Sequence, residues 1–503
     1  MRAGTVRLAS CRTTTDDSGF LCETEFQVNA TTLISTISAQ WDQEIVPQLI
    51  DYIRIPAKSP HFDPQWATSG HIERVIRLAE AWVKRQPLRG LVVEIVRLPG
   101  RTPLLYFDVP GTGNSTALLY GHLDKQPEMT GWRDGFGPWD PLLEDGKLYG
   151  RGGADDGYAV FASLSAISAL QAQGIAHSRC VGMIETCEES GSYDLPAYLD
   201  ALAPRMGDVG LVIALDSGAG NYDQLWATTS LRGLVNATLR VDILTEGVHS
   251  GDAGGVVPSS FRIARRLLDR LDDSRTGVVK PADFSCEIPA DRLAEAGQAA
   301  EILGDTLWKR FPWAGCCDDQ SSARLFAEPV SKDPVELILN RTWRAALAVT
   351  GADGLPALES AGNVQRPFTA LKLSLRLPPL VDGERAAAAL KKLLESDPPY
   401  RASVDLRYDS AATGWNAPAT AAWLTAALDR ASVSLFGKPV AYMGEGGTIP
   451  FMSMLNAKFP AAQLLVSGVL GPKSNAHGPN EFLDIGYAKK ITAATAMVIA
   501  ALV

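Results

Sequence analysis

Paired cysteine motifs, long apolar runs and an excess of positive charge are all missing from this chain of 503 residues. Its seven cysteines (Cys11, Cys22, Cys180, Cys187, Cys286, Cys316 and Cys317) are odd in number and include no Cys-x-x-Cys. That usage argues against a disulfide framework and against a thiolate metal site, and it fits a reducing cytoplasm best. A formal net charge of -10 argues against nucleic acid or an anionic membrane surface as the main partner. No apolar stretch approaches the roughly 20 residues that span a bilayer. The apolar C-terminus, ITAATAMVIAALV, has only 13 residues and is expected to be a packed final helix. Residues 1–24 carry Arg2, Arg7 and Arg12 among Ser and Thr but lack the apolar core of a secretory leader. Asp16 and Asp17 weigh against a transit peptide, so a disordered extension is expected there.

What is present is an ordinary globular composition, 46% hydrophobic and 21% charged. The length exceeds what one hydrophobic core organises, so two domains are expected. Helical periodicity marks His71 to Gln86, Tyr158 to Gln173 and Leu195 to Leu202. Short apolar strands are expected over Leu91 to Leu98, Leu104 to Val109, Ala117 to Gly121, Cys180 to Cys187 and Leu211 to Leu215. Strands alternating with helices predict an α/β fold with a mainly parallel sheet flanked by helices.

From Gly233 the pattern changes. GLVNATLRVDI, LKLSLRL (Leu371 to Leu377) and ASVDLRY (Ala402 to Tyr408) alternate as half-exposed strands. A Pro-started helix in PSSFRIARRLLDRLDD and another over Glu384 to Leu394 accompany them. After GWNAP (Gly414 to Pro418) helices and apolar strands of the first kind return. The expected organisation is therefore an extension (1–24), a first part of one domain (25–232), an inserted α+β domain (233–409) and a second part of the first domain (410–503).

Histidine is scarce, 6 in all, yet His122 stands two residues from Asp124, just past the strand ALLYG. Asp155 and Asp156 follow a glycine-rich loop in GRGGADDG, where an aspartate at a helix start is also a natural cap. Glu188 and Glu189 close the strand from Cys180, Asp216 closes LVIAL, and His477 follows a strand and a glycine-rich loop. Four of these positions lie beyond the carboxyl end of an expected strand, the edge where ligands bind in open α/β sheets. Carboxylates and imidazoles gathered at one such edge repel and are poorly solvated without a cation. Histidine with carboxylate and no thiolate suits zinc, with manganese or cobalt as substitutes.

In order along the chain stand GHLD, GRGGADD, EESGS, LDSG, VHSGDAGG, SLRLPP, GEGGTIP and NAHGPNE. This series resembles the co-catalytic di-zinc peptidase family of carnosine dipeptidases, glutamate carboxypeptidase, aminoacylase and succinyl-diaminopimelate desuccinylase. The resemblance covers nearly the whole chain after the extension. It implies two Zn2+ per chain: Asp155 bridging both ions, His122 and Asp216 completing one site, Glu189 and His477 the other. It further implies that Asp124 orients His122 and that Glu188 is the general base for a water held between the ions. The inserted domain would be the dimerisation lid, making the protein a homodimer. His249 would enter the partner protomer's site to stabilise the tetrahedral oxyanion. Arg376 would grip a substrate carboxylate, and Gly446, Gly447 and Thr448 would offer backbone amides or a hydroxyl to the substrate.

The implied function is hydrolysis of a small peptide next to a free carboxylate, in the manner of a dipeptidase or carboxypeptidase. An N-acyl-amino-acid deacylase would use the same centre. A catalytically dead binding protein on this fold is disfavoured, since every ligand and the base are present. Two departures stand out. Gly157 and Tyr158 follow the aspartate pair where family members carry lysine. TGW (Thr413 to Trp415) lacks the histidine of the His-Pro-Trp seen in carnosine-type members, which argues against carnosine as substrate. Cys187, beside Glu188, is not needed as a nucleophile if the metal and Glu188 supply one.

Overall fold

The structure is a computed structural model that describes residues 28–311, 313–314 and 327–502. The extension expected over 1–24 lies outside the described residues. A six-stranded sheet forms the frame. Its spatial order is Val92–Val96, Leu104–Val109, Arg179–Glu185, Thr116–His122, Val209–Ala214 and Gln463–Val466. The last four run parallel, and Leu104–Val109 is antiparallel to both its neighbours. The expected fold class is thus the observed one.

Burial explains the patterning. Every residue of Thr116–His122 is buried, which is why it reads as a continuous apolar run; strands covered on both faces need no alternation. The helix Ala159–Ala172 buries nearly its whole circumference, and the final helix Ile485–Ala500 does the same. Helices apolar all round belong inside a core, and these two pack on each other. No helix among the described residues is long and apolar enough to cross a membrane.

A second, antiparallel sheet has the order Ala346–Asp353, Phe368–Leu377, Gly233–Asp242 and Ser403–Ala412. Gly233–Asp242 alternates buried and half-buried positions without exception. Its buried face carries Val235, Ala237, Leu239 and Val241, which pack with Ile263, Leu267 and Leu271 of the helix Ser260–Leu271 and with Leu390 and Leu394 of Gly383–Glu395 in a separate core. Pro258 does not open the first of these helices as expected. Ser259 caps it instead, its hydroxyl accepting from the Arg262 N–H at 3.3 Å, because a side-chain acceptor at that position satisfies an otherwise orphaned donor.

The helices Ala290–Leu303 and Pro334–Thr342 fall between strands of this second sheet in sequence. In space they join the larger core, contributing Ala296, Leu303, Ile338 and Leu339. They pack on the strand Ala441–Glu445, which belongs to a three-stranded sheet with Trp226–Leu231 and Trp415–Asn416.

Candidate dinuclear metal centre

Parallel strands deliver the first of the expected ligands. His122 ends its strand opposite Glu185, Asp216 follows Val209–Ala214 on the neighbouring strand, and Glu188 and Glu189 follow Arg179–Glu185 in a single 3-10 turn. Asp155 arrives from a different direction, on the turn leading into Ala159–Ala172. Gly121 keeps this approach open: a Cβ there would lie 2.9 Å from the Ala159 Cβ and 3.0 Å from Asp156 Oδ2.

Asp155 sits at the junction of two histidine-acid groups. Its Oδ1 is 3.4 Å from His122 Nε2, which also lies 3.8 Å from Asp216 Oδ2. Its Oδ2 is 2.9 Å from His477 Nε2, which lies 3.3 Å from Glu189 Oε2. Glu188 Oε2 is 3.9 Å from His122 Nε2, on the side of the first group. Asp124 is fully buried. Its backbone carbonyl is 3.0 Å from His122 Nδ1, while its Oδ1 and Oδ2 accept from the backbone N–H groups of Glu188 and Glu189 at 3.1 and 3.0 Å. The Asp124 carboxylate therefore fixes the turn that carries both glutamates, while its backbone carbonyl, not its side chain as expected, holds the His122 ring.

The electrostatics are those of carboxylates and imidazoles crowded into a buried site. Burial pushes the Glu188 and Asp216 carboxyls well above the usual carboxylate range and raises Glu189 to about 7. Asp155 is also desolvated, but hydrogen bonding to His122 and His477 holds it well below that range. Burial alone would lower His477, yet Glu189 and Asp155 raise it to about 10. His122 Nε2 is buried and makes no hydrogen bond, although it faces the carboxylates of Asp155, Glu188 and Asp216. An unpartnered imidazole nitrogen among carboxylates is a donor set that fits a divalent ion. His122, Asp155 and Glu189 place ligand atoms within 4.8 Å of one another, and so do His122, Asp156 and Asp216.

Asp156 is an addition to the expected set. Both its oxygens are buried without a hydrogen-bond partner, and burial raises its carboxyl strongly. Its only sequence signal was adjacency to Asp155. Gly157 packs against Tyr52, where a Cβ would come 2.2 Å from Tyr52 Cε1. The Tyr52 hydroxyl donates to the Leu123 carbonyl at 3.1 Å, and Lys125 Nζ lies 3.9 Å over its ring. Cys187 is buried and its thiol donates to Glu185 Oε2 at 3.2 Å. Burial pushes the thiol up strongly, so it is not a thiolate nucleophile.

The residues expected on the substrate side come from other elements. His249 is exposed at the end of the two-residue strand Val248–His249, with no carboxylate within 4.0 Å among the described residues. Arg376 Nη1 donates to Thr448 Oγ1 at 2.9 Å. The carbonyls of Gly446 and Gly447 accept from Arg232, at 3.2 Å from its Nε and 3.1 Å from its backbone N–H. Arg232, which sequence reasoning passed over, thus joins Arg376 at the Gly446–Thr448 loop.

Comparison with known proteins agrees with this geometry. The family model described as peptidase family M20/M25/M40 matches residues 118–502. A cysteinylglycine-S-conjugate dipeptidase of Corynebacterium striatum is 28% identical over 448 residues, 85% of this chain and 89% of that protein. The human Beta-Ala-His dipeptidase is 27% identical over 347 residues, 67% of this chain and 65% of that protein. Among solved structures, human carnosine dipeptidase 1 shares the fold with a TM-score of 0.75 at 20% identity, covering 95% of this chain and 100% of that one. The dipeptidase Dug1p from Saccharomyces cerevisiae superposes with a TM-score of 0.73 at 20% identity, over 94% and 99% of the two chains.

Proposed function

The chain belongs to peptidase family M20/M25/M40, and from that premise we propose that this metallopeptidase is a dipeptidase that holds two zinc ions and cleaves next to a free carboxylate. The observation that carries the reading is Asp155, whose two oxygens face two separate histidine-acid groups, 3.4 Å from His122 and 2.9 Å from His477. His122 and Asp216 would hold one ion, Glu189 and His477 the other, with Asp155 between them. Two such ions would polarise the scissile carbonyl and acidify a water. The nitrogen and oxygen donors, with no thiolate among them, favour zinc over softer metals and admit manganese or cobalt.

The remaining steps belong to side chains. Glu188, whose carboxylate lies 3.9 Å from His122 Nε2, takes the water's proton and returns it to the leaving amine. Asp124 keeps the His122 ring and the Glu188–Glu189 turn in register. Arg376, beside Thr448, receives the carboxylate of the substrate, a planar anion that suits a guanidinium fork. His249, from a lid formed within residues 233–409, reaches the partner protomer of a homodimer. A cytoplasmic setting is supported by the free thiols of Cys180, Cys187 and Cys286.

The test is metal analysis combined with a substrate panel. Active protein should contain two divalent ions per chain. Chelation should remove activity that zinc, manganese or cobalt restores, and dipeptides should be cleaved in preference to N-acyl amino acids. One ion or none in active protein overturns the dinuclear assignment. Cleavage of N-acyl amino acids without any dipeptide cleavage overturns the dipeptidase assignment and leaves a deacylase.

A further inference from the structure

Four arginines crowd the loop that follows Ala441–Glu445, and among the described residues Glu445 is the acid that faces them. Arg232 is buried. Its Nη1 reaches the Asn340 and Arg344 carbonyls, both at 3.4 Å, and its Nε donates to Gly446. Arg341 packs beside it: a Cβ placed on Gly446 would sit 3.1 Å from Arg341 Cγ and 3.2 Å from Arg232 Nη2. Among the described residues Arg341 Nη2 donates to the Met443 sulfur alone, at 3.1 Å, and its Nε is buried with no partner. Arg376 donates to Thr448 in the same loop. Arg310, near Arg341 and Glu445, is the fourth, and its Nε is likewise buried without a partner among the described residues.

Among the described residues none of these four guanidiniums forms an ion pair, although pairing is the rule for cations taken out of water. Burial and the neighbouring arginines Arg376 and Arg341 lower Arg232 to about 10, with Glu445 acting in the opposite sense. Glu445 is the acid that faces the group, and one negative charge cannot offset four positive ones. A substrate α-carboxylate on Arg376 still leaves an excess. The carbonyl contacts account for Arg232 as a structural tie, but nothing accounts for the free donors of Arg341. The loop also borders the candidate metal centre: a Cβ on Gly218, two residues after Asp216, would lie 2.6 Å from Glu445 Oε1.

We propose that Arg341 and Arg232 form a second carboxylate pocket next to Arg376, so that the preferred substrates are dipeptides whose C-terminal residue is acidic. Arg376 takes the α-carboxylate, and Arg341, assisted by Arg232, takes the side-chain carboxylate. The inference rests on the dipeptidase reading and narrows its substrate class. A guanidinium fork that lacks a protein acceptor rewards a carboxylate far more than the isosteric amide, because the amide leaves the charge unpaired.

Metal-loaded protein is assayed with Ala-Glu, Ala-Gln and Ala-Ala. The kcat/KM for Ala-Glu should exceed that for Ala-Gln by about tenfold or more. In Arg341→Met this ratio should fall close to one, and Arg341→Lys should restore part of it. A loss of folding would lower all three rates together and leave the ratio in place. Titration of the same peptides into Glu188→Gln protein reads binding without turnover, and Ala-Glu should bind more tightly than Ala-Gln. Hydrolysis of all three peptides with no acidic preference overturns this proposal and leaves the dipeptidase reading standing. A ratio that survives Arg341→Met removes Arg341 from the pocket. Failure to bind or cleave any dipeptide overturns both readings together.

Discussion

Adjacent glutamates in one turn are asked to do different work. Glu189 lies 3.3 Å from His477 Nε2, whereas Glu188 points toward His122. Glu188→Ala should therefore keep both metals and lose turnover by roughly a hundredfold or more, while Glu189→Ala should lose metal from the His477 side. Metal analysis beside kinetics separates the two, and the opposite pattern would reverse the assignment. A quieter residue is Glu185, buried behind the turn, where it accepts hydrogen bonds from Tyr120 at 2.5 Å and Ser192 at 2.9 Å. Burial raises its carboxyl from 4.5 to about 7 despite those donors. The folded state then binds the proton more tightly than the unfolded chain. Stability from this group is fully present below pH 4.5 and is lost as pH rises through 7. Across that window the effect amounts to at most about 3 kcal/mol. Denaturant melts of metal-free protein should show stability falling from pH 5 to 8, and Glu185→Gln should flatten the slope. Equal slopes would mean that Glu185 stays ionised. Much of the site was legible because His122, Asp155, Glu188, Asp216 and His477 each follow an apolar run or a glycine-rich loop. Glu185 was not, because its environment is made by the folded strand pair and carries no local pattern.

At the scale of elements, the expected strands and helices of both sheets are found within a few residues of their predicted ends. Alternation in Gly233–Asp242 and unbroken apolarity in Thr116–His122 announce their surroundings directly. The helices Ala290–Leu303 and Pro334–Thr342 were missed because an alanine-rich face says little until its partner, the distant strand Ala441–Glu445, is known. The tie between the Asp155 loop and the His477 loop was equally hidden. Arg151 and Glu481, separated by 330 positions, form a buried ion pair. Glu481 Oε1 also accepts from the Gly152 N–H at 2.9 Å, and Arg151 Nη2 donates to the Gly478 carbonyl at 2.8 Å. This clamp joins the Asp155 loop to the His477 loop. Removing one partner leaves a buried charge uncompensated and should cost about 3–5 kcal/mol. Glu481→Met or Arg151→Met alone should thus unfold at clearly lower denaturant than the double variant, with metal lost first from the His477 side. If the double variant is the least stable of the three, the pair is worth more than its desolvation costs.

For the whole molecule, the proposed homodimer makes one site depend on two chains. His249 belongs to the element that pairs with Val364–Gln365, near the antiparallel sheet, while His122, Glu188, Glu189 and Asp216 follow strands of the six-stranded frame and Asp155 and His477 come from loops beside it. The histidine is exposed, and its Nδ1 accepts from the Gly251 N–H at 3.1 Å. A neutral ring accepting at Nδ1 carries its proton on Nε2, the donor that a developing oxyanion requires. Delivered to the partner's site, that donor would contribute roughly a hundred- to a thousandfold in turnover, as other oxyanion donors do. His249→Ala should then lose activity by about that factor without losing metal. The decisive measurement mixes His249→Ala with Glu188→Ala under conditions that exchange subunits. A mixed dimer has one site with its own intact Glu188 and a partner's intact His249, so activity should return toward one site's worth per dimer. Verified exchange with no recovery would place His249 in its own chain's site or outside catalysis, and the homodimeric active unit would fall with it.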